Sequence, residues 1–237
     1  MSNFIVRKAA VLGAGVMGAQ IAAHLANAEV PVVLFDLPVA TGDANGIARK
    51  AIDGLRKLEP SPLASADRVA YIDAANYGQH LEQLRDCDLI IEAIAEKMEW
   101  KDDLYRTIAP FIAPMAIIAS NTSGLSINRL AEGLPEALRP RFCGIHFFNP
   151  PRYMHLVELI ATQGTAPELL DNLESWLVSR LGKGIVRALD TPNFVANRVG
   201  VFSILAVMHH TQRLGLGFDV VDSLTGPIIG RPKSATY

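Results

Sequence analysis

The sequence predicts an α/β fold of the doubly wound kind, with a mostly parallel sheet, on three observations. Short apolar runs alternate with helical stretches along most of the 237 residues, the pattern of strands joined by crossover helices. The first such run ends in glycines spaced G-x-G-x-x-G, at Gly13, Gly15 and Gly18. The second ends on an acid, Asp36, eighteen residues beyond the last of these glycines.

Taken in order, the runs expected as strands are 9–12, 30–35, 89–93, 116–120, 142–147 and 155–160, with a last one at 184–188. The glycine turn opens a helix that runs to about Ala28, and the β-branched residues of 30–35 suit a buried strand. The connection from Leu37 to Asp86 is about twice what one crossover helix requires. Its middle, 48–58, is charged with helical spacing and breaks at Pro60-Ser-Pro62. A helical-hairpin insertion projecting from the sheet is expected there. Helices are also expected at 100–109 and 166–181, the second closed by Gly182-Lys-Gly184 in the usual C-terminal manner. Asp190-Thr-Pro-Asn-Phe194 reads as a linker, and 195–214 as a long apolar helix with little chain left to pack on it. The expected organisation is therefore a Rossmann-type nucleotide-binding domain at 1–190 and the truncated beginning of an all-α C-terminal domain at 191–237, in a piece of a longer protein.

Composition excludes several classes. Half of the residues are hydrophobic and 19% are charged, with a formal net charge of -2, so neither a nucleic acid nor an anionic membrane is an expected partner. No uninterrupted apolar stretch has the length of a membrane span. A secretory leader running from Arg7-Lys8 to Ala26-Asn-Ala28 would be broken by three glycines and Gln20. Cys87 and Cys143 have no metal-like spacing. Reduced, buried thiols in a cytoplasmic protein are expected, and no metal site.

The glycine turn carries a specific physical demand. Gly13 permits the tight strand-to-helix turn, Gly15 lets backbone amides approach a pyrophosphate, and Gly18 lets the helix pack closely on the strand. The helix start, Val16 and Met17 included, then meets the phosphates with unpaired amides and its positive dipole end. Asp36 would accept from a ribose 2′-hydroxyl and repel a 2′-phosphate, and no Arg or Lys follows in Leu37-Pro-Val-Ala40. NAD is thereby favoured over NADP.

Oxidation of an alcohol by such a cofactor needs a base for the hydroxyl proton, and histidine is suited to that near neutrality. Of the six histidines, His146 lies in a strand-end motif, Gly144-Ile-His-Phe-Phe-Asn149-Pro-Pro151, and ligands of open α/β sheets bind beyond the carboxyl ends of strands. The neighbouring strands finish in Ser120-Asn-Thr-Ser-Gly124 and in Glu92-Ala-Ile-Ala-Glu96. Glu158 sits in the apolar run His155-Leu-Val-Glu-Leu-Ile160, where a carboxylate needs a partner. An imidazolium at His146 would be one. Taken alone, His146 also reads as a satisfied core histidine, and Glu158 as a strand-edge acid paired with a Lys or Arg.

The set Gly13-Ala-Gly-Val-Met-Gly18, Ile91-Glu-Ala-Ile-Ala-Glu96, Ser120-Asn-Thr-Ser123, His146-Phe-Phe-Asn-Pro150 and Asp190-Thr-Pro-Asn-Phe-Val-Ala-Asn-Arg198 resembles the L-3-hydroxyacyl-CoA dehydrogenases of fatty-acid β-oxidation. The resemblance covers essentially the whole chain. The ending, Thr225-Gly-Pro-Ile-Ile-Gly-Arg-Pro-Lys-Ser234, is similar to the large multifunctional members. The resemblance implies NAD-dependent oxidation of a (3S)-3-hydroxyacyl-CoA. His146 would be the general base and Glu158 its orienting partner, with Ser123 and Asn197 at the reacting oxygen or thioester. It also implies Glu96, Lys101 and Asn149 on the ribose and nicotinamide side of the cofactor, and a homodimer formed through the helical domain beyond this chain. Asn197 also reads as a helix cap or surface amide. The family's Ser and Lys contacts to CoA have no match in Ile52-Asp-Gly-Leu-Arg-Lys57, so no CoA contact is assigned. The alternatives are a related NAD-dependent hydroxyacid or sugar-acid dehydrogenase, and a fragment that binds NAD or CoA without catalysis.

Overall fold

The computed structural model describes residues 4–230 and 236. In chain order the elements are β1 (Ala9–Leu12), α1 (Val16–Asn27), β2 (Val32–Asp36), α2 (Gly46–Leu55), β3 (Ile72–Asn76), β4 (Leu89–Glu92), α3 (Met98–Ile108), β5 (Ile117–Ser120), α4 (Ile127–Glu132), β6 (Phe142–Phe147), β7 (Leu156–Ala161), α5 (Pro167–Leu181), β8 (Gly184–Ala188), α6 (Ala196–Leu214) and α7 (Phe218–Thr225). The chain divides into two compact units, Met1–Pro192 and Asn193–Tyr237.

The first unit holds an eight-stranded sheet in the order β3-β2-β1-β4-β5-β6-β7-β8. The strands from β3 to β6 are parallel, β7 is antiparallel to β6, and β8 is parallel to β7. Strand order reverses between β1 and β4, which opens a ligand crevice at their carboxyl ends. The central strands β1, β4 and β5 are buried along their whole length, as a parallel sheet covered on both faces requires. Ile21, Ala22 and Leu25 of α1 and Leu173, Trp176 and Leu177 of α5 belong to the core on one side of it.

Two glycines are fixed by sterics. Gly13 has φ +103°, and a Cβ there would come within 2.8 Å of the Ala93 carbonyl oxygen. At Gly18 the added carbon would lie 1.8 Å from the carbonyl oxygen of Gly13, so α1 seats on the turn only without a side chain there.

Strands β1, β6 and β8 coincide with the runs read from sequence. Strand β2 starts two residues late because Pro31 has no N–H to donate to the ladder, although its carbonyl accepts from Ala9. The connection from β2 to β4 requires correction. In place of a helical hairpin it carries one helix, α2, then an irregular stretch through Pro60 and Pro62, a 3-10 turn at Ala66–Tyr71, and the edge strand β3. The prolines stop a second helical limb, and Ile72–Asn76 pairs instead with β2. The irregular stretch is pinned from two sides. Asn27 donates to the Pro62 carbonyl and accepts from the Ala64 amide, while Arg152 donates to the carbonyls of Ser61 and Leu63.

In the second unit, α6 spans 19 residues and ends at Gly215 in the left-handed conformation, and α7 follows it. Thr211 is the one buried residue of α6; Val199, Phe202 and Leu205 are exposed. Among the described residues no helix is long and apolar enough to cross a membrane. Arg231–Ser234 of the closing motif lie outside the described residues.

Candidate active site

The cofactor side of the crevice is built by backbone. Helix α1 starts at Gly15 with no side-chain cap and no acid in its first turn, so the first amides, those of Val16, Met17 and Gly18, point outward without a capping partner. A Cβ built on Gly15 meets nothing within 4 Å. Open space over an uncapped helix start is suited to an anionic group such as a pyrophosphate. Asp36 stands beside it. Its Oδ2 accepts from the Ala14 amide at 2.6 Å and its Oδ1 from the Leu37 amide at 2.7 Å. Each carboxylate oxygen keeps a lone pair for a ribose hydroxyl. Beyond it lies a pocket of about 510 Å³, walled by Leu37, Tyr77, Ile94, Trp100 and Leu104 among others, with the size and apolar character that suit the adenosine half of a dinucleotide.

The proton-handling side is built by register. Strands β6 and β7 pair antiparallel with His146 directly opposite Glu158. His146 Nδ1 lies 2.7 Å from Glu158 Oε2, and Nε2 lies 3.1 Å from Ser123 Oγ. Both the imidazole and the carboxylate are buried. With Nδ1–H donating to the carboxylate, Nε2 carries the lone pair and accepts the Ser123 hydroxyl. The Phe148 ring packs against the imidazole with centroids 4.5 Å apart. A base at Nε2 whose protonated form faces a buried carboxylate is what this geometry can provide.

Glu96 holds the segment that follows β5. Its Oε1 accepts from the Ser123 amide and its Oε2 from the Thr122 hydroxyl, each at 2.5 Å. Glu96, Ser123, His146 and Glu158 thus form one continuous line of hydrogen bonds. Asn149 lies at the exposed end of the β6 motif, where its Oδ1 accepts from Gln20 of α1 at 3.3 Å. Lys101 lies behind the crevice. Its ammonium is buried, paired with Glu92 Oε1 at 2.5 Å, and reaches the Ile94 carbonyl at 3.4 Å. It is not presented to the crevice. Asn197 is the second residue of α6, in the second unit, and is half-buried.

Three supporting residues escaped the sequence reading. Glu92 closes β4 fully buried and accepts from Lys101, the Ile94 amide (2.7 Å), Tyr105 (3.1 Å) and Ser120 (2.6 Å). Burial, helped by Glu92, pushes the Tyr105 phenol well up, so it stays a donor. Asn121 donates its amide to the Glu92 carbonyl and accepts from the Phe147 amide, tying the ends of β4, β5 and β6 together. Lys183, buried and pushed down to about 8 by that burial, donates to the carbonyls of Pro151 and Met154 and fixes the turn after His146. The signal for Glu92 was present: an acid ends an apolar strand, and Lys101 and Tyr105 lie four apart on α3.

Asp190 of the predicted linker caps α4. Burial opposes its charge, but bonds from the Asn128 amide, Ser126 and the Ile127 amide hold its carboxyl below the usual range. No group of three or more potential metal ligands occurs among the described residues.

Residues 8–191 match the family described as 3-hydroxyacyl-CoA dehydrogenase, NAD binding domain. A Deinococcus radiodurans protein named "Probable 3-hydroxyacyl-CoA dehydrogenase" is 44% identical over 98% of this chain and 67% of its own length. A Bacillus subtilis protein of the same name is 41% identical over 98% of this chain, which spans 31% of that relative. Among solved structures, the (S)-3-hydroxybutyryl-CoA dehydrogenase of Ralstonia eutropha superposes with a TM-score of 0.81 at 29% identity, covering 96% of this chain and 79% of that one.

Proposed function

The chain belongs to the 3-hydroxyacyl-CoA dehydrogenase family, and from that premise we propose that it oxidises (3S)-3-hydroxyacyl-CoA to 3-ketoacyl-CoA, bound NAD supplying the hydride acceptor. The observation that carries this reading is the line Glu158–His146–Ser123 at the strand ends, on the same rim as the glycine turn and Asp36. Nε2 of His146 takes the proton of the 3-hydroxyl, and the imidazolium so formed is held by Glu158. Ser123, released from Nε2, turns its hydroxyl to the substrate oxygen, and Asn197 serves the same oxygen or the thioester. Gly13, Gly15, Val16, Met17 and Gly18 hold the pyrophosphate, Asp36 a ribose, and Glu96 and Asn149 the nicotinamide side. Lys101 acts behind them, by holding Glu92. In the same reading the intact protein is a cytoplasmic homodimer, joined through helices beyond this chain, and serves fatty-acid β-oxidation.

The test is a spectrophotometric assay of acetoacetyl-CoA reduction by NADH, run on this chain and on a version extended to its relatives' length, beside free 3-keto and 3-hydroxy acids. Thioester turnover by the longer version is expected. Turnover of the free acids with none of the thioester would instead indicate a hydroxyacid dehydrogenase. NADH binding without any turnover would leave a non-catalytic module.

A further inference from the structure

We propose that Tyr77 is a cofactor-binding residue: its ring walls the adenosine end of the pocket, and its hydroxyl donates a hydrogen bond to the adenosine half of the dinucleotide. Tyr77 follows β3 directly, and its amide donates to the Asp36 carbonyl at 3.2 Å. The ring stacks on Phe35 with centroids 5.9 Å apart and planes 14° from parallel. It lines the pocket together with Gly13, Asp36 and Trp100. Its hydroxyl oxygen is buried and has no hydrogen-bond partner among the described residues.

The surroundings explain why that hydroxyl is orphaned. The Gly13 amide beside it already donates to the Phe35 carbonyl. The Asp36 carboxylate accepts the Ala14 and Leu37 amides rather than this hydroxyl. Burial, with Asp36 and Glu92 nearby, raises the phenol further above its ordinary range, so it stays protonated at neutral pH and keeps a proton to donate. A buried hydroxyl without a partner is costly. Phenylalanine would keep the stacking on Phe35 and avoid that cost. Adenosine, by contrast, brings ribose oxygens and the N1, N3 and N7 ring nitrogens, each able to accept, into this pocket.

The proposal rests on the reading of the crevice as a dinucleotide site, and ADP-ribose probes it without any chemistry. Calorimetric titration of the full chain with ADP-ribose is compared for wild type and Tyr77→Phe, beside thermal melts of both without ligand. The expected result is a roughly five- to tenfold weaker affinity in the variant, the size of one neutral hydrogen bond, with a melting temperature unchanged or raised. Unchanged affinity overturns the proposal. So does a melting temperature that falls together with affinity, because the hydroxyl is then structural. Failure of the wild-type chain itself to bind ADP-ribose overturns the dinucleotide site, and the proposal with it.

Discussion

His146 and Glu158 meet because an antiparallel pair places them directly opposite each other, so the contact needs no loop to be ordered and no long side chain to be immobilised. Removing the charge while keeping the shape isolates the carboxylate's electrostatic part. Glu158→Gln still offers an oxygen to Nδ1–H but no counter-charge to an imidazolium. Its kcat is expected to fall with little change in NADH affinity; an unaltered kcat would show that Glu158 only packs. Asp36→Ala is expected to weaken NAD binding and to reduce discrimination against NADP, read by parallel titrations, and unchanged discrimination would contradict its role. Much of the candidate site was legible at this scale. His146, Asp36 and the glycines stand at strand ends where the local pattern fixes their surroundings. The partner of Lys101 was not legible, because it is Glu92, nine residues away and on another element. A lysine's long stem makes such destinations invisible to spacing alone.

The end of β4, the end of β5 and helix α3 are held by one buried carboxylate, since Glu92 ties α3 through Lys101 and Tyr105 and β5 through Ser120. A buried ion pair is weak evidence for net stability, but removal of one partner strands the other. Glu92→Ala is therefore expected to cost about 3–5 kcal/mol in chemical denaturation. Glu92→Leu combined with Lys101→Met should recover much of that loss. A double variant as unstable as Glu92→Ala would mean that the pair itself, not the orphaned ammonium, sets the cost. Strand β3 and the absent hairpin mark where elements were not legible. Ile72-Asp-Ala-Ala-Asn76 is short and has mixed burial along its length, so it carries no clean period of two, and only its in-register partner β2 makes it a strand. By contrast, the uniformly buried β6 was read to the residue.

For the molecule as a whole, the packing of α1 on the first unit buries His24, and burial followed by the nearby Lys183 charge pushes its pKa from 6.5 down to about 4. Both ring nitrogens lack hydrogen-bond partners among the described residues. A folded pKa below the unfolded one means that the unfolded chain takes up the proton first. Stability is then complete above pH 6.5 and falls as pH drops toward about 4, by up to about 3 kcal/mol. Urea midpoints of wild type and His24→Leu at about pH 7 and about pH 5 check this. The wild type should lose stability that the variant keeps, and equal losses would assign the titration elsewhere. The same first unit carries the proposed cofactor cradle and the proposed base on one rim. The central claim is tested most directly by the kcat for acetoacetyl-CoA reduction in a version extended to the relatives' length, measured for wild type and His146→Gln with NADH affinity determined alongside. The account predicts a fall of about 10²–10⁴-fold in kcat with NADH binding unchanged; an unaltered kcat would contradict it.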